Sequence, residues 1–430
     1  MRLAFSSAQW MVFIMTSVIV APLSVGNAFG MSQPEIADVL QRTFFVMALA
    51  SLLQGVFGHK LPILNGPAGL WWGVFLMYAG FVSSTGDPEV VLRSLELGLL
   101  ISGAVFILVS VFRKMNIVEN MFTPIVTGTY LILLVTQLSG PFIKGVFGVD
   151  YLSDGVNLVV AVCAIVTMIL AVLLSRSQNR FLSSYSVLIS LVFGWVLFAI
   201  VGIAKPMTSH VSSWFSFPEL LAWGVPTFDI GIVLTSIFTA FILMANMVAS
   251  MNVVAGVTGK QDELNYNRSG FVMGVNQALT GLFAAVGGVP MATAAGFIST
   301  TRIAERLPFL IGSVAMLLIS LFPPVMSFFA SIPMPVGYAV IFLSISSLIG
   351  LGFSNYRREL GDEKSVFIIS VSLMAGFGSM FVPQEAWAGF PTALTSILNN
   401  GLVVGVLLCI ILEQVMKSKS DQKEGAQTSE

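Results

Sequence analysis

LPILNGPAGLWWG (61–73) is apolar enough for a bilayer yet too interrupted for one continuous helix, and GGVPMATAAGF (287–297) has the same character in the second half of the chain. Proline lacks an amide proton and disfavours helix in the residue before it, so Pro62, Pro67 and Pro290 favour extended backbone ahead of a half-length helix. Irregular backbone at membrane depth is tolerated only where it lines a cavity or is buried in protein. Two half-helices entering from opposite sides would aim their N-termini, each with partial positive charge and free N–H groups, at one midplane site. A plainer reading is that these runs only let helices pack closely. The matched ordinal position of the pair, third in each half, favours the site.

The surrounding chain is built for lipid. Of 430 residues, 56% are hydrophobic and 10% charged, against about 25% charged in soluble domains, and the mean hydropathy is +0.92. Each crossing needs roughly 20 apolar residues. Segments are expected near 9–28, 40–57, 61–82, 92–112, 117–138, 156–174, 184–204, 229–257, 269–286, 288–301, 308–328, 335–352, 365–382 and 390–412. The expected class is an all-α polytopic membrane protein with about 14 transmembrane segments, short extended stretches opening the third and tenth.

The basic residues fall in alternate gaps. With the N-terminus cytoplasmic, 16 lie inside (Arg2, Lys60, Arg113, Lys114, Arg176, Arg180, Lys260, Arg268, Arg302, Arg306, Arg357, Arg358, Lys364, Lys417, Lys419, Lys423) and four outside (Arg42, Arg93, Lys144, Lys205). This positive-inside asymmetry predicts an inner-membrane protein with both termini cytoplasmic. The first stretch is long, contains Pro22 and is followed by further segments, so it reads as a span and not a cleaved leader. The halves meet in the external loop 205–228. An odd number of segments per half sets them in opposite orientations, as in secondary transporters built from inverted repeats.

Several chemistries are set aside. Cys163 and Cys409 fall inside expected spans and make no metal framework. His59 and His210 sit in short loops, where a lone histidine is ordinarily solvated. The tail 413–430 (EQVMKSKSDQKEGAQTSE) is polar enough to be disordered. No segment could form a soluble ATPase or enzyme domain and no catalytic dyad is present, so the chain does not read as an enzyme, and any energy used must come from an ion gradient. Neither a cofactor nor a nucleic-acid partner is expected.

The same residues resemble the nucleobase–cation symporter-2 family, the xanthine/uracil permeases and nucleobase–ascorbate transporters. RTFFVMALASLLQ (42–54), KLPILNG (60–66), FTPIVTGTYLILL (122–134), FFASIPMPVGYAVIF (328–342) and PTALTSILNNGLVVGVLLCIIL (391–412) are similar to its second, third, fifth, twelfth and fourteenth spans, ASIPMPVG being the most specific. The resemblance implies a seven-plus-seven inverted repeat. A core domain would comprise 1–116 and 229–330, and a gate domain 117–204 and 331–412. It further implies an elevator-type movement, a homodimer, a nucleobase substrate and a coupling proton or cation.

Three departures bear on mechanism. The family carries a glutamate on span 8 in a motif resembling ESxGD; here NMVAS (246–250) puts Asn246 there, which can donate and accept but not ionise. The second carboxylate, on span 10 of uracil-type members, falls on Thr293 or Gly296 according to where a gap is placed. The family's first-span Gln-His pair is similar to Gln9-Trp10. Proton coupling is therefore in doubt. The remaining acids near membrane depth, Glu96 and Glu119, lie near segment ends, where snorkelling or capping is the ordinary role.

The resemblance makes Asn246 the first candidate for substrate binding; in isolation it would read as a hydrogen bond between helices. Ala68, Gly69 and Leu70 would contribute backbone N–H groups from the third segment, and Thr293, Ala294 and Gly296 would open the tenth. Trp71 could stack on a planar ring, although packing is the commoner role of such a tryptophan. Gln9 is retained from the first span. Asn252, Asn276 and Gln277 are expected to be structural. Three functions compete: a permease for a purine, pyrimidine or similar planar heterocycle; an anion or urate transporter of the same fold, favoured by positive helix ends without carboxylates; and a non-transporting membrane sensor.

Overall fold

Helix starts in this chain are written as caps. Asp87, Thr123, Asn157, Asp229, Asn265 and Asp362 each accept a backbone N–H from the first turn of the helix that follows, satisfying donors that have no intrahelical partner. The computed structural model describes residues 2–427 apart from 86, 116–122, 150, 154, 180–181, 184–185, 205–212, 358, 384–385, 387–389, 391–397 and 399–400. Glu119, Lys205, His210, Arg180 and Arg358 lie outside the described residues, as does most of the PTALTSILNN stretch.

In chain order the elements are α1 (Arg2–Val18), α2 (Val20–Ala28), α3 (Gln33–Val56), β1 (Asn65–Pro67), α4 (Gly69–Thr85), α5 (Pro88–Val111), α6 (Pro124–Val146), α7 (Leu158–Ser175), α8 (Ser186–Val201), α9 (Ile230–Thr258), α10 (Tyr266–Leu282), β2 (Gly288–Pro290), α11 (Thr293–Thr301), α12 (Arg306–Ser320), α13 (Pro323–Ala330), α14 (Met334–Tyr356), α15 (Glu363–Phe381) and α16 (Gly401–Gln427). Seven of the described helical stretches are long and apolar enough to cross a membrane, or eight if α12 and α13, bent by 88°, form one span. Shorter apolar helices run Gly69–Ala79, Ile189–Val201 and Gly401–Met416.

The two interrupted stretches meet. β1 and β2 pair antiparallel, with Asn65 opposite Pro290, Gly66 opposite Val289 and Pro67 opposite Gly288. The ladder continues at both ends through Ala68 N to Gly287 O (2.8 Å) and Met291 N to Leu64 O (2.9 Å). Because the strands run in opposite directions, α4 and α11 start at opposite ends of the ribbon. Gln277 braces it by donating to Gly288 O at 2.7 Å.

Close helix approach uses small residues. A Cβ on Gly103 would lie 2.7 Å from Gly274 O, and one on Gly281 would lie 2.9 Å from Glu96 O, so α5 and α10 touch backbone to backbone.

The structure corrects four expectations. Arg42, assigned to an external gap, lies within α3 and is 6% exposed. Ser32 and the Glu35 carboxylate form a capping box, with Pro34 in the first turn, and this starts the helix earlier than its apolar run. His59 is buried and not solvated: its Nδ1 accepts from Leu61 N at 3.0 Å. The eleventh segment, expected as one continuous span over 308–328, is interrupted: α12 and α13 are bent by 88° at Leu321 and Phe322, with Pro323 and Pro324 opening the second helix. The tail expected to be disordered is helical to Gln427. Extending a formed helix adds a hydrogen bond per residue without a new nucleus, and Lys, Gln and Glu are good helix formers.

Candidate functional site

At the ribbon, a cavity of about 270 Å³ opens between α6, α9 and the two helix starts. That is just below the roughly 300–1,000 Å³ typical of small-molecule sites, a size for one compact ring system. Each wall follows from helical spacing. α9 presents Ile242, Ala245, Asn246, Ala249, Ser250 and Val253, and α6 faces it with Thr127, Tyr130, Leu131 and Leu134. Both sets recur at three- and four-residue steps, the signature of one helix face. Pro67, Gly69, Val289, Pro290 and Thr293 close one end, and Asn355 of α14 contributes at another.

Among the described residues, none that lines the cavity carries a formal charge. Its polarity comes from amides, hydroxyls and backbone. Asn246 Oδ1 accepts from Ser250 Oγ at 3.3 Å, which turns the carboxamide so that its NH₂ remains available. The Tyr130 hydroxyl lies beside the Asn246 side chain, close enough to interact with it. Tyr130 is 4% exposed and its oxygen has no partner at hydrogen-bond geometry among the described residues. A buried hydroxyl normally has one. The start of α4 supplies further donors, since the first amides of a helix have no intrahelical acceptor; at α11 the Ala294 and Ala295 amides are already bonded to Met291 O and Ala292 O.

Of the sequence candidates, Gly69, Asn246 and Thr293 line this one cavity. Ala68 stands immediately behind, but its amide is already bonded to Gly287 O, which leaves the donors of that end to Gly69 and Leu70. Leu70 and Ala294 are buried against neighbouring helices, and the Ala294 amide bonds to Met291 O. Gly296 lies on the next turn of α11 and does not line the cavity. Trp71 is fully buried on the side of α4 away from it: a Cβ on Gly287 would lie 2.2 Å from its ring. Gln9 is half-buried on α1 away from the cavity, beside Trp10, whose ring packs on Phe297 and Phe309. Asn252 accepts from Tyr266 Oη and Asn276 donates to Ala50 O, both structural bonds.

Tyr130, Thr127 and Asn355 were not singled out from sequence. The signal for two of them was present: in FTPIVTGTYLILL, Thr127, Tyr130, Leu131 and Leu134 share one face, and the only polar groups on that face are those of Thr127 and Tyr130.

The family model described as "Permease family", that of the xanthine/uracil permeases, matches residues 1–385. The chain is 41% identical over 435 residues to the Bacillus subtilis (strain 168) protein named "Putative purine permease YwdJ", covering 98% of each. It is 23% identical over 422 residues to a xanthine permease of the same organism, covering 97% of this chain and 94% of that one. A uric acid transporter of Escherichia coli (strain K12) is 20% identical over 425 residues, covering 96% of this chain and 85% of its relative. Among solved structures, the transmembrane domain of a cyanobacterium bicarbonate transporter, BicA, superposes with TM-score 0.62 at 18% identity, over 94% of this chain and 96% of that one. At that identity the likeness concerns fold alone.

Proposed function

The chain belongs to the xanthine/uracil permease family, and from that membership we propose that it is a secondary transporter moving a purine or a closely related planar heterocycle across the cytoplasmic membrane. The observation carrying this reading is the uncharged cavity in which Asn246 and Tyr130 lie within reach of each other beside the starts of α4 and α11. A flat heterocycle presents alternating ring donors and acceptors at its edge, and carboxamide, hydroxyl and backbone N–H groups match such an edge without requiring charge. The apolar remainder of the wall (Leu131, Leu134, Ile242, Val253, Val289) suits the ring faces.

The cavity lies between segments assigned to different domains. In the proposed arrangement, fourteen segments form two inverted halves, with α4, α9 and α11 in a core and α6 and α14 in a gate. The core slides against the gate in an elevator-type cycle, both termini are cytoplasmic, the transporter works as a homodimer in the lipid bilayer, and substrate is held between the domains. Among the described residues no carboxylate lines the site, and in this proposal a coupling proton binds elsewhere.

A rival reading has its own support. Two helix starts without an acid also suit an anion, and the fold is shared with a protein named as a bicarbonate transporter. Counterflow in proteoliposomes loaded with unlabelled purine decides between them. Uptake of labelled xanthine, urate or guanine displaced by bases and not by bicarbonate or sulfate supports the base permease. Displacement by inorganic anions alone overturns it, and saturable binding without exchange indicates a sensor.

A further inference from the structure

We infer that Glu96 is a proton-binding site whose occupancy controls the cavity, acting through Arg42 and the backbone that leads into β2; this rests on the cavity being the substrate site. Glu96 lies on α5, is 0% exposed, and neither carboxyl oxygen has a hydrogen-bond partner among the described residues. The snorkelling or capping role expected from its position near a segment end is thus not the one it plays. The other buried carboxylate among the described residues, Glu413, accepts from Thr123 Oγ1 at 2.6 Å. Only the Trp223 backbone N–H approaches it among the described residues, and a carboxylate withdrawn from water with so little hydrogen bonding is costly, so this setting accommodates the neutral acid.

The surrounding charges define what ionisation would do. The groups facing Glu96 are the Trp223 backbone amide, Arg42 from α3 and Arg93 from its own helix. Arg93 is engaged elsewhere, donating to Trp223 O at 2.8 Å and pairing with Glu89 at 2.9 Å. Asp38 acts on Arg42 most strongly, then Glu219, and Glu96 adds to them from the side of α5. α9 carries no titratable side chain, and α10 has only Tyr266 and Arg268, both in its first turn, at the opposite end from Gly281. From α4, Tyr78 is hydrogen-bonded to Thr235. Arg42 is therefore the cation that a charged Glu96 would draw.

Arg42 holds something that matters to the site. Its Nε donates to Ala284 O at 3.2 Å and its guanidinium lies 5.8 Å from the Trp223 ring centroid. Ala284 has φ +48°, a left-handed conformation that a non-glycine residue keeps only when its surroundings impose it. Two residues on, Val286 N bonds to Thr43 Oγ1, and the chain then enters β2 and the start of α11. With Glu96 neutral, Arg42 stays on Ala284 and the ribbon is held. Loss of the proton to water leaves a carboxylate that pulls Arg42 away, freeing the strained turn and loosening one wall of the cavity. Binding is thus strongest with Glu96 protonated and falls as pH rises.

The test uses the full-length protein in lipid, with Glu96→Gln as a fixed neutral mimic and Arg42→Gln to cut the connection. Infrared difference spectra between acid and alkaline pH should show a protonated-carboxyl band in the wild type and in Arg42→Gln that is missing in Glu96→Gln. Wild-type xanthine affinity should fall by up to ~10-fold per pH unit above the midpoint, whereas Glu96→Gln keeps the wild-type acid-limit affinity at every pH and Arg42→Gln shows a flat profile. No difference between the wild-type and Glu96→Gln spectra would overturn the proton site. A titrating band with the same pH profile of binding in all three proteins would overturn the control. If no base binds at any pH, the permease reading and the control over binding fall together, while the spectra still decide whether Glu96 takes up a proton.

Discussion

Asn246 and Tyr130 carry the proposed site at residue scale, and each side chain can be truncated without breaking its helix. Asn246→Ala deletes the carboxamide but keeps α9 formed, and about 1–1.5 kcal/mol for a lost hydrogen bond predicts roughly tenfold weaker base binding or more. Tyr130→Phe removes one oxygen and should weaken binding similarly. Equilibrium binding to both variants checks this, with circular dichroism to confirm folding; unchanged affinity in Asn246→Ala removes the principal site residue. Asn246→Asp places a carboxylate against the two helix starts and should make uptake more pH-dependent than wild type. His59 supplies a separate stability prediction. Burial, with the Arg268 charge nearby, pushes its imidazole down to about 3. The unfolded chain therefore binds the extra proton first as pH falls from 6.5, and the stability lent by neutral His59 is lost progressively toward that lower value. Melting temperature should drop between pH 7 and 5, and His59→Gln should flatten that difference.

The β1–β2 ribbon is the element on which the site depends, and its sequence leaves no spare volume. A Cβ on Gly287 would lie 2.2 Å from the ring of Trp71, which is fully buried and cannot swing aside. Overpacking of this kind costs about 1–3 kcal/mol, and here it would also displace the carbonyl that accepts from Ala68 N. Gly287→Ala should lower the melting temperature and weaken base binding together, whereas an alanine at Gly378, where a Cβ meets nothing within 4 Å, should do neither. Proline and glycine placement made this element legible, because the bonds a proline cannot make are a local property. The facing of Trp71 was not legible. Its direction depends on α4 starting at Gly69, and that start is fixed by a strand partner some 220 residues away. Tyr130 stayed hidden for a related reason: the spacing gave the face of α6, and only the packed structure says which neighbour that face meets.

At the scale of the molecule, apolar run length located most helices, since a bilayer imposes that length directly. It failed where polar residues extend a helix past its apolar run, at Arg42 and in the C-terminal tail, because caps and helix propagation act on residues a hydropathy reading assigns to loops. The proposed elevator requires core and gate surfaces that slide, and in that proposal α2 and α14 belong to opposite domains where they touch: a Cβ on Gly337 would sit 3.4 Å from Val20 Cγ1. Neither position lines the cavity, so joining them should spare the site while blocking relative motion. The pair Val20→Cys with Gly337→Cys is close enough for oxidation to bridge, and the native Cys163 and Cys409 are both free and buried. The oxidised double variant should lose purine exchange while a bound purine still raises its melting temperature, and reduction should restore exchange. Each single variant should transport under both conditions. Full exchange by the oxidised, demonstrably bridged protein would mean that the two domains need not slide past each other here, and the elevator would have to give way to a local gate at the cavity.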